Sequence, residues 1–164
     1  MATISILEIL EDTTVDGPGF RTTVYCSGCP HHCPGCHNPQ SWNIANGHEV
    51  EVDEVLGVIL ADPFADVTFS GGDPMFQPQG FTALAKAIKQ KSNKNIWCYT
   101  GFLFEELLEN PQQKALLEQV DVLVDGRFVE ALKNEFLPFR GSSNQRIINV
   151  PASLEKGEVV VMDI

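Results

Sequence analysis

The sequence predicts an α/β fold with a mostly parallel sheet, because short apolar runs bounded by turn residues recur along the chain and segments of helical period lie between several of them. The runs are Ile4–Leu10, Thr22–Cys26, Val67–Ser70, Ile96–Thr100, Val120–Val124 and Ile147–Val150. Each has the length of a strand and the apolar character of one buried on both faces. Spacing at i, i+3, i+4 and i+7 joins Val52, Val55, Leu56 and Ile59, and again Phe81, Leu84, Ala85 and Ile88, so each set gives a helix one packed face and one wet face. A weaker set, Phe104, Leu107 and Leu108, precedes Pro111, which starts a helix but does not continue one; helix resumes through Leu116 and Leu117. Strands alternating with helices imply right-handed crossovers, with ligands gathering at the carboxyl ends of the strands. At 164 residues the chain is too short for a full eight-unit barrel.

Length and a hydrophobic content of 43% predict one domain spanning residues 1–164. A formal charge of −11 repels phosphate backbones and anionic lipid, which argues against nucleic acid or membrane as a partner. No positively charged segment precedes an apolar stretch at the start, and no apolar run is long enough to cross a bilayer, so the expectation is a soluble cytoplasmic protein.

Two stretches read as irregular, Asp12 to Gln40 and Gly126 to Gln145, and long irregular stretches in a compact domain are usually functional. The first holds four of the five cysteines, Cys26, Cys29, Cys33 and Cys36. Neighbours that close cannot staple distant parts of a fold, so metal is favoured over disulfide. Thiolates without a nearby carboxylate favour zinc or an iron–sulfur cluster. Zinc knuckles normally place a longer loop between their cysteine pairs than the three residues between Cys29 and Cys33, whereas the corners of a cubane suit one tight loop. Three thiolates would leave one iron open for a substrate and four would make an electron carrier; spacing alone does not decide. Cys26 ends an apolar run whose alternation points it away from the loop, and both it and Cys98 read as small buried hydrophobes.

The subset Cys29-x3-Cys33-x2-Cys36 resembles the signature of the radical S-adenosylmethionine superfamily. With Val15-Asp16-Gly17-Pro18-Gly19-Phe20-Arg21 and Ser27-Gly28 before it and His37-Asn38 after it, the pattern is similar to that of the glycyl-radical-enzyme activases. Ser70-Gly71-Gly72-Asp73-Pro74 resembles that superfamily's Gly-Gly-Glu-Pro element. Asp125-Gly126-Arg127-Phe128 and the run Arg140 to Arg146 look like the activating proteins of anaerobic ribonucleotide reductase. Three positions depart from the wider pattern: Asp73 for Glu, Gly35 for an aromatic that would stack on adenine, and Tyr25 for Phe.

The resemblance implies a partial β/α barrel of radical-SAM type. It also implies a [4Fe-4S] cluster on Cys29, Cys33 and Cys36, with S-adenosyl-L-methionine at the open iron. Gly35, Cys36, His37, Asn38, Gly71, Gly72, Asp73, Asp125 and Arg127 would then line the cofactor, Asp73 accepting from its amine. Period-two alternation would put Asp125 and Arg127 on one face, where the guanidinium could fork onto the methionine carboxylate or simply pair with Asp125 at the surface. Asp73 otherwise serves as a helix cap, Asn38 before Pro39 as a turn residue, His31 and His32 as solvated loop residues, and Arg140 to Arg146 as a plain surface loop. The implied activity is abstraction of hydrogen from a glycine of the anaerobic ribonucleotide reductase large subunit, with a low-potential electron donor such as flavodoxin. The competing readings are an activase of another glycyl radical enzyme such as pyruvate formate-lyase, a four-cysteine electron-transfer module and a zinc module.

Overall fold

Among the described residues, seven strands form one sheet in the order β3-β1-β2-β4-β5-β6-β7. The computed structural model describes residues 2–36 and 39–162. The strands are β1 (Thr3–Thr13), β2 (Arg21–Cys26), β3 (His48–Glu51), β4 (Asp66–Gly71), β5 (Ile96–Tyr99), β6 (Val122–Asp125) and β7 (Arg146–Asn149). The helices are α1 (Val52–Ala61), α2 (Pro78–Lys91), α3 (Phe104–Glu109), α4 (Pro111–Leu117) and α5 (Val150–Lys156).

Direction follows from what joins the strands. Where a helix intervenes the neighbours are parallel, as in β2–β4, β4–β5 and β5–β6. The link from Thr13 to Arg21 is too short for a crossover, and β1 pairs antiparallel with β2. The long link from β6 to β7 has only a short 3-10 turn of its own, and that pair is antiparallel as well. With β1–β3 also antiparallel, the sheet is mixed, parallel only in its middle, rather than mostly parallel throughout.

The helical period places its residues as the pattern predicts. Val52, Val55, Leu56 and Ile59 of α1 and Phe81, Leu84, Ala85 and Ile88 of α2 are buried against Val24, Val67, Phe69, Ile96 and Cys98 of the sheet. Asn110 closes α3 and caps α4, accepting from the amides of Gln112 (3.0 Å) and Gln113 (3.2 Å), with Pro111 at the start. Two elements escape the periodicity. Strand β3, His-Glu-Val-Glu, has no apolar run, and its place comes from pairing with β1. Helix α5 begins at Val150, inside the expected final strand; its signals are the Asn149 cap on the Ala152 amide, Pro151 in the first turn, and Gly157 at φ 78°.

The other face of the sheet is covered by a smaller cluster of Trp97, Val122, Val124 and Ile147, with Tyr99, Phe139 and Met162 against it. Beside it Arg21 is 1% exposed. Its Nε donates to Thr68 Oγ1 (2.8 Å), its Nη1 to the Pro18 carbonyl (3.1 Å) and its Nη2 to the carbonyls of Val67 (2.8 Å) and Asn95 (3.1 Å), while the guanidinium lies over the Trp97 ring. The Thr68 hydroxyl in turn donates to the Asp16 carbonyl (2.6 Å), and the Asp16 carboxylate accepts from Tyr25. The Val15–Arg21 motif is therefore a clasp across β2 and β4. A lysine at position 21 keeps the charge but loses the planar fork, and Arg21→Lys is expected to cost about 2–3 kcal/mol in urea unfolding through buried acceptors left unpaired.

Candidate metal centre

The carboxyl ends of β2, β4, β5 and β6 open into a cleft of about 220 Å³ whose wall includes Cys29, Cys33 and Cys36. The cysteine loop leaves β2 at Cys26 and is stapled at its base. The Gly28 amide donates to the Ser41 carbonyl (2.6 Å) and the Cys29 amide to that of Trp42 (3.1 Å), while the Gly28 carbonyl accepts from the Asp73 amide (2.9 Å). Cys29, Cys33 and Cys36 are each half-buried, and none of the five cysteines is in a disulfide. Burial pushes the Cys29 thiol up. Cys26 and Cys98 are fully buried on the helix side of the sheet, the same burial raising both thiols far more, so they pack as apolar residues.

Gly71 and Gly72 lie in the cleft wall, yet what requires glycine there is neighbouring backbone. Gly71 sits at φ 100°, and a Cβ on it would stand 2.5 Å from the Cys26 nitrogen; one on Gly72 would meet the Gly28 carbonyl. The Gly-Gly turn thus lets β4 end flush against the cysteine loop. Gly35, at φ 76°, faces Glu130 and Phe128, and a Cβ there would stand 3.0 Å from the Glu130 side chain and 3.2 Å from the Phe128 ring.

Asp73 is fully buried and accepts from the Met75 amide (2.9 Å), which it caps, the Thr100 hydroxyl (2.8 Å), the Gly101 amide (2.9 Å) and His31 Nε2 (2.8 Å). His31 is not the solvated residue its loop suggests. Its side chain is 3% exposed, edge-on to Phe102 at 4.6 Å, and it occupies the space beside Gly101. His32 does stay exposed and stacks on Trp42.

Asp125 and Arg127 do not share a face. Gly126 between them turns at φ 97° and breaks the alternation. Asp125 is buried, accepts from the Phe104 amide (2.8 Å) at the start of α3, and is gripped in a fork by Arg146 (Nε 3.0 Å, Nη2 2.5 Å); Arg127 is exposed. Arg146 also reaches Glu105 (2.6 Å) and holds that carboxyl below the usual range. The segment from Arg140 onward is no loose loop. Gln145 Nε2 donates to the Gly126 carbonyl (3.0 Å), Asn144 Nδ2 to that of Arg127 (2.8 Å), and the Gly141 amide to Gln145 Oε1 (2.8 Å), so Gly126, Phe128, Gly141 and Gln145 form one side of the cleft. His37 and Asn38 lie outside the described residues. Tyr99, Thr100 and Val124 also line the cleft, and only their positions at or just beyond strand ends could have marked them.

Three half-buried thiols on one stapled loop form a donor set that fits iron and sulfide, the neighbouring Asp73 carboxylate being engaged by Thr100, Gly101 and His31. Residues 15–148 match the family model described as a 4Fe-4S single cluster domain, which defines the class of protein. The chain is 38% identical over 143 residues to the anaerobic ribonucleoside-triphosphate reductase-activating protein of Vibrio cholerae, covering 81% of this chain and 90% of that one. It is 36% identical over 140 residues to the protein of the same name in Escherichia coli (80% and 89%), and 34% over 154 residues to that of Haemophilus influenzae (88% and 97%). The chain belongs to the family of anaerobic ribonucleoside-triphosphate reductase-activating proteins. Among the described residues, no helix is long and apolar enough to cross a membrane.

Proposed function

We propose that this chain is a radical S-adenosyl-L-methionine enzyme, built as a partial β/α barrel, that generates the glycyl radical of anaerobic ribonucleotide reductase. The observation that carries this reading is the convergence of Cys29, Cys33 and Cys36, without Cys26, on a cleft at the carboxyl ends of the parallel strands. Cys29, Cys33 and Cys36 would hold a [4Fe-4S] cluster, which, with S-adenosyl-L-methionine bound, supplies one-electron C–S cleavage and so the abstraction of hydrogen from a glycine of the reductase.

The chain's own residues position and enclose. The staple through Gly28, Ser41 and Asp73 fixes the loop before any ligand arrives. Gly71 and Gly72 bring backbone rather than side chains to the cleft wall, and Asp73, held by Thr100 and Gly101, is an acceptor whose direction is set in advance. Gly35, Cys36, His37 and Asn38 would contact the cofactor from the cysteine loop. Phe128 supplies an aromatic surface beside Gly35, and Asp125 acts through Arg146 and the turn at Gly126. Arg127, exposed next to Phe128, is free to meet an anionic group at the rim. A low-potential donor such as flavodoxin would deliver the electron.

Anaerobic incubation of the cluster-loaded protein with S-adenosyl-L-methionine, a strong reductant and the reductase should yield a glycyl radical signal in electron spin resonance. Its absence from a fully loaded preparation would overturn the proposal. Pyruvate formate-lyase in place of the reductase should give no signal.

A further inference from the structure

Between the cysteine loop and the end of β4 lies a second set of donors. The Sγ of Cys29, an imidazole nitrogen of His31 and a carboxylate oxygen of Asp73 lie within 4.8 Å of one another. Sulfur, imidazole and carboxylate together suit a borderline divalent transition ion such as zinc, cobalt or ferrous iron, and disfavour magnesium and calcium. Three protein ligands leave a fourth tetrahedral position for water.

We infer that the cluster-free protein binds one divalent transition ion on Cys29, His31 and Asp73, a site that shares only Cys29 with the cysteine trio. Three features of the surroundings make it more than a chance approach. His31 is held in place by its edge contact with Phe102 and by Gly101, so its Nε2 keeps facing Asp73. The Asp73 carboxylate accepts from the Thr100 hydroxyl and the Gly101 amide, which orient it as outer partners orient a ligating carboxylate. The Nε2 to Oδ2 separation is 2.8 Å, and the ion would take the place of the hydrogen between them, the neutral imidazole then carrying its proton on Nδ1, while those two donors stay. Tetrahedral bonds of the usual length need the two atoms only about half an ångström further apart. Cys29 gives up its thiol proton to solvent as its sulfur binds. Since Cys29 also belongs to the trio proposed for the cluster, ion and cluster exclude each other, and a zinc-loaded chain must release its ion before a cluster can be built.

Cobalt(II) titration of the reduced, cluster-free protein under anaerobic conditions tests this without any cluster or reductase, so its outcome is separate from that of the activase proposal. The expected result is one equivalent bound, with tetrahedral d–d bands and charge transfer from a single thiolate. His31→Gln and, independently, Asp73→Asn should weaken binding about tenfold or more, the scale on which even outer partners act. Cys33→Ser should leave the spectrum unchanged, and circular dichroism of each variant confirms that it is folded. A spectrum of three thiolates that survives His31→Gln and is lost in Cys33→Ser would put the ion on the cysteine trio and overturn the inference; failure to bind cobalt would do the same. Zinc added during iron and sulfide reconstitution should slow cluster formation in the parent chain and much less in His31→Gln.

Discussion

Cys33→Ala, like Cys29→Ala and Cys36→Ala, is expected to abolish the bound cluster and with it all reductase activation, whereas Cys26→Ala and Cys98→Ala keep full iron and sulfide. The contrast follows from which side of the sheet each thiol faces. Cys29, Cys33 and Cys36 line the cleft, while Cys26 and Cys98 are fully covered among Val24, Phe69 and the helices. The two core replacements should show up only as a loss of roughly 1–2 kcal/mol for the small cavity left behind. Iron and acid-labile sulfide assays on anaerobically purified variants read the result. Loss of the cluster in Cys26→Ala, in a variant that still folds, would favour a four-thiolate electron carrier. Zinc that stays bound at one equivalent through iron and sulfide reconstitution, with no cluster formed, would favour a zinc module.

The second large effect is expected away from the cysteines. Asp125→Ala should destabilise the fold by about 3–5 kcal/mol, measured by urea unfolding, because it strips a buried carboxylate from Arg146 and from the Phe104 amide. Asp125→Asn should cost less, since an amide oxygen still meets Phe104. A double-mutant cycle with Arg146→Gln should show strong coupling, and simple additivity would mean that the fork carries little energy. Glu105 adds little, being more than half exposed. Its carboxyl is lowered by Arg146, so its share of stability is present above the usual carboxylate range and is lost as pH falls through the lowered value.

Where side chains repeat with a period, the sequence was legible. Val52 to Ile59 and Phe81 to Ile88 form the buried stripes of α1 and α2, and Pro111 starts α4 where the pattern breaks. The central strands fall within a residue or two of their apolar runs. What periodicity does not encode is direction at the sheet margins, which the lengths and contents of the connections decide. The short link into β2 already required a hairpin. Strand β3 was hidden because His48, Glu49 and Glu51 carry no apolar signal, and α5 because the two β-branched residues before Asn149 mask its cap.

At the site, the Cys29, Cys33 and Cys36 spacing was readable because the ligands are close in sequence. Long-range partnerships were not. His31 meets Asp73 across 42 residues and Asp125 meets Arg146 across 21, pairings that only the sheet order creates. Alternation placed Arg127 beside Asp125 because it takes no account of a glycine that turns the backbone between them.

The outer strands of this open sheet bear on how the protein behaves in concentrated solution. An uncovered margin is a template on which another molecule can add its own strand. Here β3 is only four residues long and presents Glu49 and Glu51, so two molecules approaching along it would set glutamates against glutamates. At the opposite margin Val161 bridges Ile148 and occupies part of the β7 backbone. The apolar strands in the middle are thereby screened from cross-β stacking, and fibril formation should require that β3 or the chain after α5 first detach.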